Sequence, residues 1–207
     1  MIVLSHRGYW QKQDEKNQKI AFKRSFDLGF GTETDVRDCD GKLLISHDMP
    51  SGSELSLEGF LHILAKRNLP LAMNIKADGL VIPLKQAMEA AGVVDWFVFD
   101  MSIPDMRAYL QAGVPVFTRM SEVEREPVWF EESSGVWLDA FIDIWYGAKE
   151  VEKLLQSGKR VCVISPELHK RDYQALWNLL LPFAKHDQLM LCTDLPEEAQ
   201  AFFGVSV

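Results

Sequence analysis

The sequence predicts a (β/α)8 barrel, and three observations carry that prediction. Short runs rich in Val, Ile, Leu and Phe recur along the chain, separated by amphipathic segments of helical length. Such runs read as strands buried on both faces, and their alternation with helices at this spacing gives a parallel sheet. Setting aside one hairpin strand, the alternation runs to eight units, the number that closes a barrel. The competing architecture is an open doubly wound sheet. A nucleotide-binding sheet of that kind would carry a GxGxxG or GxxxxGK(S/T) loop after its first strand, and none stands there.

Taken in order, the first strand is Ile2 to Leu4 and ends in Ser5-His6-Arg7-Gly8. Asn17 is the expected cap of a helix carrying Ile20, Ala21, Phe22, Ser25, Phe26 and Leu28 and closed by Gly29. The second strand holds Glu33 and Asp35. Asp40-Gly41 makes a turn, and Lys42 to Ser46 returns as a short hairpin strand that ends at His47-Asp48. Ser56 then starts a helix with Phe60, Leu61, Ile63 and Leu64 on one face.

Further strands are expected at Leu71 to Lys76, Trp96 to Asp100, Val114 to Thr118, Gly135 to Ala140, Arg160 to Ile164 and Gln188 to Cys192. Helices are expected at Leu80 to Ala91, Ile103 to Gln111, Ala148 to Gln156, and Arg171 to Ala184 with an interruption near Pro182. Pro196 to Phe203 is the last helix, with proline in its first turn. The acidic stretch from Glu122 to Ser134 reads as loop with a weak helix. No linker, repeat or composition break divides the chain, so residues 1–207 are expected to form one domain.

Composition narrows the function classes. The chain has 207 residues and a net charge of -8, which argues against non-specific binding to nucleic acid or to an anionic membrane. A local positive pocket for an anionic small molecule is still compatible with that charge. Cys39, Cys162 and Cys192 are odd in number and widely spaced, so no disulfide framework or zinc site is implied. The opening MIVLSHRG has no basic leader, and nothing approaches the roughly 20 apolar residues of a spanning helix. A soluble, cytoplasmic protein is the expectation; the oligomeric state is left open.

The chemistry-bearing residues gather at strand ends. Glu33 and Asp35 are two apart, so both point to one face of their strand. Carboxylates held that close repel unless a positive group lies between them, and a hard divalent cation is the simplest such group. His6 and Arg7 follow the first strand, Asn74 and Lys76 close the third, and Asp100, Arg119, Asp139, Glu167 and Asp194 lie at or after later strands. In a (β/α)8 barrel these ends meet on one face, where active sites are built. A rim that gathers cations, carboxylates and an imidazole can neutralise charge on an anionic substrate and move protons.

The order His6-Arg7-Gly8, Asn17 with Phe22, Glu33-Thr34-Asp35-Val36-Arg37, Asp40-Gly41, His47-Asp48, Asn74-Ile75-Lys76 and Thr193-Asp194-Leu195-Pro196 resembles the glycerophosphodiester phosphodiesterase family. The likeness runs from the first strand to the last. It implies a metal-dependent phosphodiesterase acting on a small-molecule phosphodiester. Within it, His6 and His47 would be the acid/base pair, Glu33 and Asp35 would bind Mg²⁺ or Ca²⁺, and Arg7 and Lys76 would hold the phosphate. Trp10 is a candidate for the substrate wall, as are Trp145 and Tyr146, and Glu167 for a substrate contact.

Two departures stand out. The family's third metal ligand is a glutamate where this chain has Asn74, a neutral oxygen donor that adds no charge. The family's usual insertion after its His-Asp pair is also missing, because Met49 to Ala72 holds only a loop, a helix and the start of a strand. A phosphodiester lyase that stops at a cyclic phosphate, and a barrel that binds a phosphorylated ligand without turnover, are the competing readings.

Overall fold

The computed structural model describes residues 1–205. Eight parallel strands wind around one axis: β1 (Ile2–His6), β2 (Gly31–Cys39), β4 (Leu71–Ile75), β5 (Trp96–Phe99), β6 (Phe117–Met120), β7 (Gly135–Leu138), β8 (Arg160–Ile164) and β9 (Leu189–Thr193). β3 (Lys42–Ile45) pairs antiparallel with the far end of β2, as the Asp40-Gly41 turn requires. The helices are α1 (Lys19–Asp27), α2 (Leu57–Leu64), α3 (Val81–Ala91), α4 (Ile103–Gln111), α5 (Ala148–Gln156), α6 (Gln174–Leu180) and α7 (Pro196–Phe203). No helix among the described residues is long and apolar enough to cross a membrane.

Ladders join every neighbouring pair except β5 and β6, which share a single bridge, Val98 to Val116. The architecture is a nearly closed (β/α)8 barrel. Its inner layer is Leu4, Ala72, Phe97, Phe99, Phe117, Trp137, Cys162, Ile164, Met190 and Cys192. Phe97 and Phe117 stack at 3.6 Å between centroids, and Phe99 stacks on Trp137 at 3.7 Å. Gly135 makes room for this packing: a Cβ there would stand 2.5 Å from the Phe117 ring. Two further apolar clusters fill the space between sheet and helices. One collects α1, α2 and α3 around Phe22, Phe26 and Phe60, and the other α5, α6 and α7 around Trp177.

The local differences from expectation have physical causes. β6 begins three residues later than expected, because Pro115 has no N–H to give a ladder. Its carbonyl accepts from Val98 N–H at 2.9 Å instead. Arg119 therefore lies within β6. The segment between β6 and β7 contains no helix, so this unit of the barrel is covered by turns alone. Pro182 ends α6 and leaves a 3-10 turn, Leu181–Phe183. Asn17 is not the cap of α1, a position taken by Gln18. It sits at φ 59° with its side chain turned inward.

Candidate active site

The C-terminal ends of the strands meet in a polar layer above the apolar interior. The first turn after β1 is built tightly. Arg7 and Gly8 have φ of 58° and 81°, and a Cβ on Gly8 would stand 2.9 Å from the Ala21 backbone. Only glycine fits there without strain. The turn brings the Arg7 N–H to the Glu33 carbonyl at 2.9 Å and to Glu33 Oε2 at 3.2 Å. Asn17 N–H closes the loop on the Arg7 carbonyl at 3.0 Å.

Asp35 is the centre of charge. It is fully buried, with Arg7 Nε 3.0 Å from Oδ2 and Lys76 Nζ 3.5 Å from Oδ1. Both are charge contacts without the alignment of a hydrogen bond; the aligned bond comes from Asn17 Nδ2, at 2.8 Å. Glu33 is 2% exposed and has no such cation. Its carboxyl is pushed up to about 8, first by burial and then by the Asp35 charge, against the pull of Arg7 and Lys76. Parallel register explains the grouping, since Glu33 pairs with His6 and Asp35 with Asn74.

His6 Nδ1 lies 2.7 Å from Asp194 Oδ1, and its Nε2 is 3.9 Å from Glu33 Oε2. Burial lowers the imidazole below its ordinary value, with Asp194 opposing the shift. At neutral pH the ring is therefore neutral, with Nδ1–H donating to Asp194 and Nε2 as the acceptor. Asp194 is positioned in turn by Glu167, whose Oε1 accepts the Asp194 N–H at 3.1 Å and the Thr193 hydroxyl. Its Oε2 accepts from the Ser165 hydroxyl. Glu167, expected as a substrate contact, has both oxygens engaged inside the protein.

Asn74 donates Nδ2 to Asp100 at 3.3 Å, which leaves its buried Oδ1 with no partner; Asp35 Oδ1 likewise accepts no hydrogen bond. Asp100 also takes Arg119 Nη1 at 3.2 Å. Across the barrel from β2, Asp139 pairs with His169 at 2.7 Å.

His47 is placed differently from His6. Its side chain is 46% exposed, on the loop after β3, and Nδ1 meets Asp48 at 2.9 Å. The Asp48 carboxyl is held below its ordinary value mainly by His47, with smaller contributions from Arg7 and Arg37, so this loop stands within the field of Arg7. Trp10 lies on the loop after β1 with its indole N–H buried and unpartnered and Lys16 4.4 Å above its ring. Trp145 and Tyr146 do not line the site, contrary to expectation. Tyr146 is 4% exposed in an outer cluster, and the Trp145 N–H is bound to the Asp139 carbonyl at 2.8 Å.

The donor set of Glu33, Asp35 and Asn74 consists of oxygens only, which suits Mg²⁺ or Ca²⁺. The two orphan oxygens and the unbalanced Glu33 carboxyl are what a hard cation would satisfy. Among the described residues, no group of three or more His, Cys, Asp or Glu side chains is placed to hold a metal, so an amide oxygen would have to complete the set.

Asn17 and Asp194 both act on this site. Both stand in the motif series that carries the family resemblance, but the sequence assigns neither a role at the site: Asp194 is there a residue after the last strand, and Asn17 a helix cap. Their shared signal is a small polar residue next to a strand end that carries chemistry.

The fold is similar to that of glycerophosphodiester phosphodiesterase from Agrobacterium tumefaciens str. C58. The TM-score is 0.73 over 99% of this chain and 100% of that one, at 16% identity. It is also similar to phosphoribosyl anthranilate isomerase from Thermus thermophilus, with a TM-score of 0.54 over 99% of this chain and 97% of that one, at 14% identity. At these identities the likeness is one of fold. No protein-family model and no curated protein sequence matches the chain.

Proposed function

We propose that the chain is a phosphodiester hydrolase of the glycerophosphodiester phosphodiesterase type, acting on a small soluble phosphodiester. The observation that carries this reading is the convergence of Arg7 and Lys76 on Asp35, beside Glu33 and the His6–Asp194 pair. The structural likeness to a protein of that name supports the same class.

In this reading Arg7 and Lys76 turn from Asp35 to hold the phosphoryl oxygens, as positive groups do for charge that grows in a transition state. A cation bound by Glu33, Asp35 and Asn74 Oδ1 would supply further charge neutralisation and relieve the carboxylate repulsion. His6 Nε2 takes a proton from the attacking water, and Asp194 stabilises the imidazolium through Nδ1–H. A new P–O bond forms as the bond to the leaving oxygen breaks, and His47 gives that oxygen a proton once its ring swings away from Asp48. Trp10, on the loop after β1, would stand at the substrate side, its buried indole N–H without a partner in the protein. Three free thiols suit a reducing compartment such as the cytoplasm.

The test is hydrolysis of bis(p-nitrophenyl) phosphate with Mg²⁺, Ca²⁺, Mn²⁺ or EDTA. Metal-dependent release lost in both His6→Ala and His47→Ala supports the reading. No turnover with any metal, in protein shown to be folded, overturns it.

A further inference from the structure

The barrel has a seam, and the seam opens beside the site. β5 and β6 share only the bridge at Val98 and Val116 and separate above it. A cleft of about 600 Å³ fills the wedge between them. Asp100 and Arg119 line it, and Asp100 is bonded to Asn74, so the cleft adjoins the proposed site through that one side chain.

The chemistry of its walls points to one kind of occupant. Met101, Ile103, Met106, Val123 and Val128 form the sides and Phe117 the floor. Most of the charged groups around it are already engaged. Arg119 is bound to Asp100 and, at 2.6 Å, to Glu124. Glu122 accepts the N–H groups of Phe141 and Ile142 at 3.1 and 2.6 Å. These last bonds tie the turn carrying Val123 to the loop carrying Phe141 and Ile142. The three side chains are 79%, 41% and 70% exposed. Phe141 leans towards Arg119, 5.9 Å from its ring, and towards His169, at 5.3 Å between centroids. Ile103 on the opposite lip is 55% exposed. The six apolar lining residues, two of them flexible methionines, share the cleft with seven polar ones, Arg125 and Glu126 among them; walls of that mixed kind suit a flexible aliphatic chain carried on a polar head.

We propose that this cleft binds the apolar arm of the substrate, so that the preferred phosphodiester carries a long alkyl or acyl chain on one of its alcohols. The inference rests on the phosphodiesterase reading for the position of the phosphate. The missing helix between β6 and β7 fits it, since the turns in its place supply Val123 and Val128.

The test is calorimetric binding of methyl phosphate and octyl phosphate, monoesters of the kind such a reaction releases, with octanol as a third probe. Octyl phosphate should bind at least tenfold more tightly than methyl phosphate. Ile103→Glu and Val123→Glu, both exposed positions that the fold tolerates, should shrink that ratio towards one. Val94→Glu, 77% exposed on the loop before β5 at the opposite end of the barrel, should leave the ratio intact and so control for added negative charge. Methyl phosphate binding with no gain from the octyl chain overturns the cleft and leaves the phosphate site standing. A ratio unmoved by Ile103→Glu and Val123→Glu also overturns it, as does no binding of any probe. Octanol binding as tightly as octyl phosphate, and lost in the two lip variants, keeps the chain site and counts against the phosphodiesterase reading instead.

Discussion

Asn17 Nδ2 stands 2.8 Å from Asp35 Oδ2, and the same amide accepts the Thr34 hydroxyl at 2.9 Å through Oδ1. One side chain thus bridges two consecutive residues of β2 from the loop after β1. The φ of 59° at Asn17 is what turns it inward, and asparagine tolerates that conformation better than most residues. Asn17→Ala removes both bonds and leaves the buried Asp35 held by off-axis charges alone. We expect a loss of about 1–3 kcal/mol in stability, since buried polar groups lose their partners. Asn17→Gly keeps the backbone conformation at little cost and should recover part of the stability but none of the activity. Thermal melts and phosphodiesterase assays on the two variants measure this separation.

Asp194→Asn should lower phosphodiesterase activity and change its pH dependence in a definite direction. Asp194 is the main group holding the His6 imidazole up against burial. Without that charge the imidazole falls further, and the acid limb of the kcat/KM profile moves to lower pH. His6→Ala should remove about 10²–10⁴-fold of the rate with no such limb left to shift. Glu167→Gln, acting through the Asp194 backbone and Thr193, should give a smaller loss with the limb displaced the same way. Complete pH–rate profiles for the three variants distinguish these outcomes.

The barrel was legible because its evidence is spread over the whole chain. Each buried strand is an apolar run, and the Pro196 helix start, the Asp40-Gly41 turn and the break at Pro182 are local backbone effects that sequence displays directly. The cluster of Glu33, Asp35, Asn74 and Lys76 was legible for a related reason, since strand periodicity and strand ends dictate it. Three features were not. Asn17 reads as a cap because caps and inward-turned loop residues use the same residue types. The exposure of His47 depends on where a short hairpin lets go of the sheet. The seam between β5 and β6 depends on which ladder fails to form, and Pro115 is its only local sign.

Without divalent cations the protein should lose stability as the pH rises. The Glu33 carboxyl is raised from 4.5 to about 8 in the fold, so between those values the folded chain holds a proton that the unfolded chain has released. The stabilisation is complete below about pH 4.5 and is lost as pH climbs through about 8. Each pH unit inside that window costs at most about 1.4 kcal/mol, or about 3–6 °C in Tm for a chain of this size. Glu33→Gln, which cannot ionise, should flatten the decline. Melting curves in EDTA from pH 5 to 8 measure it, and equal slopes for the two proteins would remove Glu33 as the cause.

Asn74→Glu tests whether the missing carboxylate limits cation binding. The Asn74 carbonyl oxygen is buried and unpartnered, so a glutamate at this position reaches the same space with a full negative charge. It would add a third carboxylate to Glu33 and Asp35, and hard cations gain affinity with the number of charged oxygen ligands. We expect Mg²⁺ or Ca²⁺ to bind at least tenfold more tightly than in the natural chain. Asn74→Asp, one methylene shorter, should gain less. The substitution also removes the Nδ2 bond to Asp100 and sets a third acid beside two others, so in EDTA the variant should melt several degrees lower. Calorimetric titration with each cation, paired with melts in its presence and absence, reads both effects. A variant that is destabilised in EDTA and not rescued by either cation would show that Arg7 and Lys76, rather than a metal, balance this cluster of acids.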